Sequence, residues 1–117
     1  MIKIVFCLKR LPGMSREAFQ TYWRDAHAPR VQARARLLGI RRYVQCHTTD
    51  EAGFAALMRA RGAPPAFDGV AEIWFEDSAE GSPAQRLAAA RELLDDERCF
   101  IDLAHSPIFH AQELVVL

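Results

Sequence analysis

The chain has 117 residues, half of them hydrophobic, and its 15 lysines and arginines balance its 15 aspartates and glutamates. This length predicts a single domain that spans residues 1–117. Its hydrophobic residues are enough to form a core that needs no metal or disulfide. A formal net charge of zero argues against nucleic acid or an acidic membrane surface as the main partner.

Cysteine usage and apolar runs predict the compartment. The three cysteines form no CxxC pair, so a disulfide framework is not expected and a reducing environment is favoured. No apolar run approaches the roughly 20 residues of a membrane span. The opening residues predict a strand rather than a secretory signal. We therefore predict a cytoplasmic protein without a membrane partner.

The first elements are a strand and a helix. Residues 2–9 are short and rich in β-branched side chains, and they end at an R-L-P-G turn. Ser15 is a suitable N-cap for the helix that follows. Phe19 and Trp23 recur at helical spacing and predict its apolar face.

A proline interrupts this helix. Pro29 removes a backbone donor and disfavours helical geometry in the preceding residue, so a bend or break is expected near His27. The helix is expected to resume and to end at Gly39. Residues 41–48 then predict a second strand.

The second half of the chain predicts two further strands and a long helix. A short helix is possible at 51–60, residues 70–77 alternate as a strand, and residues 108–117 predict the last strand. In 70–77, Ala71, Ile73 and Phe75 form the wholly apolar face. The helix that begins near residue 82 is expected to bury Leu87, Ala90, Leu94 and Ile101.

The order of elements is βαββαβ, which predicts an α+β fold of ferredoxin-like type with a four-stranded antiparallel sheet and both helices on one face. The other face is left uncovered. We expect it to carry Tyr43, His47, Glu72, Trp74 and His110. This mixture is too apolar for bulk water and too polar for a dry core. It predicts a ligand cavity between the facing sheets of a twofold homodimer.

Three stretches of the sequence resemble the EthD-domain family. They are KIVFCLKRLPGMSREAFQTYWRDAHAPRV, FDGVAEIWFED and DERCFIDLAHSPIFHAQELVVL, which together cover almost the whole chain. The resemblance implies a dimeric α+β barrel in which two ferredoxin-like protomers pack sheet to sheet. Proteins with this barrel include cofactor-free monooxygenases, isomerases and haem-degrading enzymes, and the fold does not choose among these reactions.

Three residues are candidates for catalysis. His27 is either a cap at a helix end or a proton-transfer group, since histidine titrates near neutrality. Glu72 is either an ordinary exposed glutamate or a general base whose pKa is raised between Val70 and Trp74. Tyr43 either lines a wall or donates its hydroxyl to a ligand carbonyl or oxyanion.

Four further residues are candidates for ligand contact: Trp23, His47, Trp74 and His110. Trp23 has an alternative role as the anchor of its helix on the sheet. The histidines show neither HxH nor HExxH spacing, so we predict no metal ligands. No glycine-rich phosphate loop is present, and we predict no cofactor.

These residues support two main hypotheses. The first is a cofactor-independent enzyme acting on a small apolar or aromatic oxygenated compound bound between sheet and helices. His27 or Glu72 would remove a proton, and Tyr43 would polarise a carbonyl or phenol. Oxygenation, isomerisation and dehydration share this first step and stay open. The second hypothesis is a non-catalytic carrier or accessory protein of a degradation pathway, and haem binding is a third alternative.

Overall fold

The sheet has four antiparallel strands in the order β2-β3-β1-β4. The computed structural model describes residues 2–117. The strands are β1 Ile2–Leu8, β2 Ile40–His47, β3 Gly69–Phe75 and β4 Ile108–Ala111. The helices are α1 Arg16–Tyr22, α2 Ala28–Leu38, α3 Phe54–Ala60 and α4 Pro83–Glu97. The predicted α+β class and four-stranded antiparallel sheet are confirmed.

The helix ends follow the local sequence signals. The Ser15 side chain accepts the backbone N–H of Ala18 and caps α1 as predicted. Helix α2 ends at Gly39, whose φ of 78° lies in the left-handed region that glycine adopts at low cost. At the start of α4, Ser82 and Gln85 form a reciprocal capping box.

A π-helical turn, Trp23–His27, joins α1 to α2. The backbone N–H of Ala28 donates to the carbonyl of Trp23, five residues earlier. The wider turn lets the chain pass through Pro29, which has no N–H to donate, without ending the helix. The feature expected near His27 is therefore a change of helix type rather than a break.

Aromatic residues form the core between the helices and the sheet. Phe19, Trp23 and Phe100 are almost completely buried, and burial of each contributes about 2 kcal/mol. The Phe19 ring centroid lies 5.7 Å from that of Trp23 and 5.5 Å from that of Phe100. Strand β3 begins with Gly69 because a Cβ there would lie 2.8 Å from Trp23 Cη2 and 2.9 Å from the Cys46 carbonyl oxygen.

The predicted distribution of side chains between the two sheet faces was wrong in part. Tyr43 of β2 is paired with Ile73 of β3, and His110 of β4 is paired with Ile4 of β1. Directly opposed residues point to the same side of a sheet. Tyr43, His47 and His110 therefore share the helix-facing side with Ile4 and Ile73, not the open side.

The open face carries the alternate residues. Lys3 pairs with Trp74, and Val5 with Glu72, which places Glu72 and Trp74 on the side without helices as predicted. Sequence alternation divides each strand into two sets but does not say which set faces the helices. In β2 a register shift between Ile40 and Arg42 further obscures that choice.

Two predictions about the second half were also wrong. Leu87 and Leu94 of α4 are exposed, whereas Ala89 and Asp96 are buried. Ile101, beyond the end of α4, is buried as predicted, but the inner face of α4 is rotated away from Leu87 and Leu94. Strand β4 ends at Ala111 instead of continuing to residue 117, and the apolar side chains of 114–117 are exposed.

Candidate functional site

A cavity of about 290 Å³ lies between the sheet and the helices. Most of its wall is aliphatic or aromatic, with Phe6 from β1, Ile73 from β3 and Leu93 from α4 among the lining residues. Three titratable side chains interrupt this wall: His27, Tyr43 and Glu97. An apolar cavity with a few convergent polar groups is the usual form of a small-molecule site, and this volume suits a compound of one or two rings.

His27 is held by a buried carboxylate. Its Nδ1 lies 2.6 Å from Oδ2 of Asp96, and both side chains are buried. A carboxylate only accepts hydrogen bonds, so Nδ1 carries the proton and Nε2 keeps its lone pair. The ring lines the cavity and packs on Phe100, with centroids 5.1 Å apart. The contact with Asp96 therefore fixes the tautomer of an imidazole that lines the cavity.

Asp96 is itself fixed by two further donors. The Tyr22 hydroxyl donates to its Oδ1 at 2.5 Å, and the Arg30 guanidinium pairs with the same oxygen. Burial alone would raise the pKa of Asp96, but the hydrogen bonds from Tyr22 and His27 and the nearby positive charges lower it. Asp96 therefore stays ionised and keeps His27 in one tautomer.

The pKa of His27 is lowered from its ordinary value of 6.5. Burial is the main cause, because it penalises the charged imidazolium, and the charge of Arg30 acts in the same direction. The hydrogen bond and charge of Asp96 oppose the shift without reversing it. The imidazole is neutral at pH 7 and able to accept a proton.

Tyr43 reaches the same cavity from β2 and is oriented by a neighbouring amide. Gln45 Nε2 donates to the Tyr43 hydroxyl oxygen at 2.9 Å and to the Trp23 carbonyl at 3.0 Å. His47 Nε2 lies 2.8 Å from Gln45 Oε1 and fixes the amide from its other end. Because the Tyr43 oxygen accepts from Gln45, its own proton is available to a ligand. Burial raises the pKa of Tyr43, which keeps it a donor.

Glu97 is the third titratable group of the cavity and was absent from the sequence predictions. It is the last residue of α4, beside Asp96. Burial, followed by the negative charge of Asp96, raises the pKa of Glu97 to about 7. Asp96 was missed because it falls outside the expected stripe of α4. Glu97 lies on that stripe, three residues after Leu94, but was missed because a carboxylate is not expected to face a core. The buried Phe100, one turn further on, was the signal that could have located them.

Glu72 lies outside this cavity, on the open face of the sheet. Lys3 Nζ lies 2.9 Å from its carboxylate. The hydrogen bond from Lys3 is the main cause that lowers the pKa of Glu72, so the expected rise was wrong. Trp74, on the same face, donates from Nε1 to Glu113 at 2.5 Å and has Lys3 4.7 Å from its ring centroid. The structure does not bring Glu72 and Trp74 together with His27.

The other predicted ligand contacts have separate positions. Trp23 is buried in the core and also borders the cavity. His47 stacks on Trp23, with ring centroids 4.5 Å apart. It contacts Gln45, which in turn orients Tyr43 at the cavity. His110 is exposed on the edge strand β4, whereas Ile108 of the same strand lines the cavity.

Residues 2–117 offer neither a cluster of metal ligands nor a helix suited to cross a membrane. Within that range, no group of three or more histidine, cysteine, aspartate or glutamate side chains is placed to hold a metal ion. Among the described helices, none combines the length and apolar character of a membrane span.

An EthD domain model matches residues 11–104 of the chain. An EthD family protein from Bacillus halodurans has a similar structure, with a TM-score of 0.58, 15% identity, and coverage of 97% of this chain and 100% of that one. An EthD-like protein from Ralstonia eutropha has a TM-score of 0.55 and 21% identity, with coverage of 97% of this chain and 92% of that one. HapK from Hahella chejuensis has a TM-score of 0.56 and 11% identity, with coverage of 100% of this chain and 98% of that one. At these identities the likeness shows the fold alone. No curated protein matches the chain.

Proposed function

The chain belongs to the EthD-domain family, and we propose that it is a cofactor-independent enzyme that moves a proton on a small apolar carbonyl or phenolic compound. The compound binds in the cavity between sheet and helices. The observation that carries this proposal is the buried Asp96–His27 pair at the wall of an apolar cavity.

His27 is the base. Asp96 holds Nδ1–H and stabilises the imidazolium that forms when Nε2 takes a proton. The neutral ring at pH 7 is in the state that this step requires. A positioned histidine of this kind contributes about 10²–10⁴ in rate.

Tyr43 polarises the ligand. Its hydroxyl faces the cavity with its proton uncommitted, so it can donate to a carbonyl or phenol oxygen on which negative charge develops. Oxygenation, isomerisation and dehydration share this deprotonation. Base and donor both come from the side chains of the protein.

A test uses indanone, a bicyclic ketone that suits the size of the cavity. NMR follows deuterium incorporation at its α-carbon in deuterated water, and calorimetry measures its binding. We expect His27→Ala to lower the enzymatic exchange rate by about 100-fold or more. His105→Ala, which changes an exposed histidine paired with Asp102, is the matched control and should exchange as the wild type does.

The alternatives give different results. Equal exchange by His27→Ala and the wild type would remove His27 from the mechanism. Tight binding of indanone without exchange in any variant would favour the carrier function instead.

The proposal includes a homodimer formed through the open sheet face and a cytoplasmic location. Val5 and Phe109 are paired on that face, and Phe109 is half exposed. An apolar patch beside the Lys3–Glu72 ion pair is suited to a second copy of the same face. A mass near that of one 13.2 kDa chain at micromolar concentration would contradict the dimer.

A further inference from the structure

Glu97 occupies an unusual position for a carboxyl group. It lines an apolar cavity together with His27 and Tyr43, at the C-terminal end of α4. No residue of the described chain donates a hydrogen bond to its carboxyl group, in contrast to Asp96, which accepts from three. Glu97 is partly buried, and a carboxyl group that lines an apolar cavity beside two polar side chains without a protein partner points to a ligand that supplies one.

The surroundings of Glu97 favour its uncharged form. The same cavity is lined by His27, which is neutral at pH 7, and by Tyr43, whose pKa the Glu97 charge helps to raise. Its chain neighbours are Asp96, whose charge repels a second anion, and Arg98, whose opposing effect is the smallest cause. The negative end of the α4 dipole acts in the same direction as Asp96. A carboxylic acid in such a site is a hydrogen-bond donor.

We propose that Glu97, in its protonated form, is a catalytic residue that donates a hydrogen bond to the ligand oxygen beside Tyr43. This inference rests on the proposed function and assigns its substrate class, which is carbonyl compounds that form an enolate. The cavity wall then supplies one base, His27, and two hydrogen-bond donors for an oxyanion, Tyr43 and Glu97.

The step is balanced without an oxidant. His27 Nε2 takes the proton from the carbon next to the carbonyl. The C–H electron pair becomes the C=C bond of the enolate, and the carbonyl π pair moves to the oxygen. Glu97 and Tyr43 hold that oxygen through their O–H groups. Return of a proton from His27 to the same or a conjugated carbon restores a neutral carbonyl compound.

The experiment measures indanone binding by calorimetry and its deuterium exchange by NMR between pH 6 and pH 8. The carbonyl of this ketone accepts hydrogen bonds and does not titrate in this range. The Glu97 donor is lost as pH rises through about 7, so wild-type affinity should fall about tenfold across the range. In Glu97→Gln the amide still donates but does not titrate. Its affinity should be independent of pH, and its exchange at pH 6 should be at least tenfold slower.

Two further variants distinguish loss of the Glu97 carboxyl group from a general effect of substitution on folding. Glu97→Asp keeps a titrating acid one methylene shorter, and it should retain pH-dependent binding with reduced affinity. Glu92→Gln makes the same chemical change on an exposed part of α4 and should behave as the wild type.

The outcomes separate this inference from the proposed function. If Glu97→Gln keeps the wild-type pH profile while His27→Ala loses exchange, the role of Glu97 is wrong and that of His27 stands. If Glu97→Gln loses the pH dependence while His27→Ala exchanges normally, Glu97 is the donor and His27 is not the base. Failure of the wild type to bind indanone would overturn the assignment of Glu97.

Discussion

Replacing Glu97 by glutamine removes a partly buried acid, keeps the shape of the side chain, and should change how stability depends on pH. The pKa of Glu97 is about 7 in the folded protein, against an ordinary value of 4.5. Below 4.5 the group is protonated in both the folded and the unfolded chain. Between 4.5 and about 7 the unfolded chain releases the proton and the folded protein keeps it. The contribution of Glu97 to the free energy of unfolding of the wild type therefore falls across this window and is constant above it.

The size of the effect follows from the two pKa values. At about 1.4 kcal/mol for each pKa unit, the difference between 4.5 and about 7 corresponds to at most roughly 3.5 kcal/mol. Glutamine does not titrate, so Glu97→Gln should match the wild type near pH 4 and exceed it by up to this amount at pH 8. For a chain of this length, this is a rise in Tm of about 10 °C at pH 8.

Urea denaturation of both proteins at a series of pH values from 4 to 8 measures this difference directly. Subtracting one curve from the other removes the contributions of groups common to both, including Asp96 and His27. A difference that stays constant over the range would refute the buried, perturbed state of Glu97. Glu92→Gln, on the exposed part of the same helix, should show no such dependence.

Three other substitutions test the supports of the site by urea denaturation. Asp96→Asn should lower the free energy of unfolding by roughly 3 kcal/mol because it breaks a buried pair with His27, and in NMR spectra the Nδ1–H signal of that ring should shift or disappear. Gly69→Ala should cost about 2 kcal/mol or more, because the added Cβ meets the Trp23 ring and a backbone carbonyl; an unchanged midpoint would contradict the packing described. Ser82→Ala should cost about 1 kcal/mol through loss of the α4 capping box, with no effect on indanone binding.

The fold was predictable because its signals are local. Alternation identified β3, and the caps Ser15 and Gly39 bounded the first helical region. These signals depend on neighbouring residues in the chain and on a core that buries whichever face is apolar. The wholly apolar face of Ala71, Ile73 and Phe75 was therefore assigned to the helices correctly.

Of the predicted site residues, only Trp23, His27 and Tyr43 line the cavity. Face assignment in β2 failed because its two alternate sets are both mixed, and the partner strand decides between them. In α4, a stripe through Ala89, Leu93, Asp96 and Phe100 is as regular as the one predicted through the leucines. It places carboxylates in the core, which hydrophobicity alone disfavours. Only the contacts with His27, Tyr22 and Arg30 make that burial acceptable.

The π-helical turn has a consequence for the spacing of inward-facing residues. Phe19, Trp23, His27 and Val31 are all buried, and they follow one another at intervals of four. An α-helix advances about 400° in four residues, so three such intervals would carry the last side chain about 120° away from the first. The wider turn at Trp23–His27 takes up this excess rotation. One extra residue in the helix thus lets the core aromatics and His27 share a single face, and deleting a residue there would turn α2 away from the cavity.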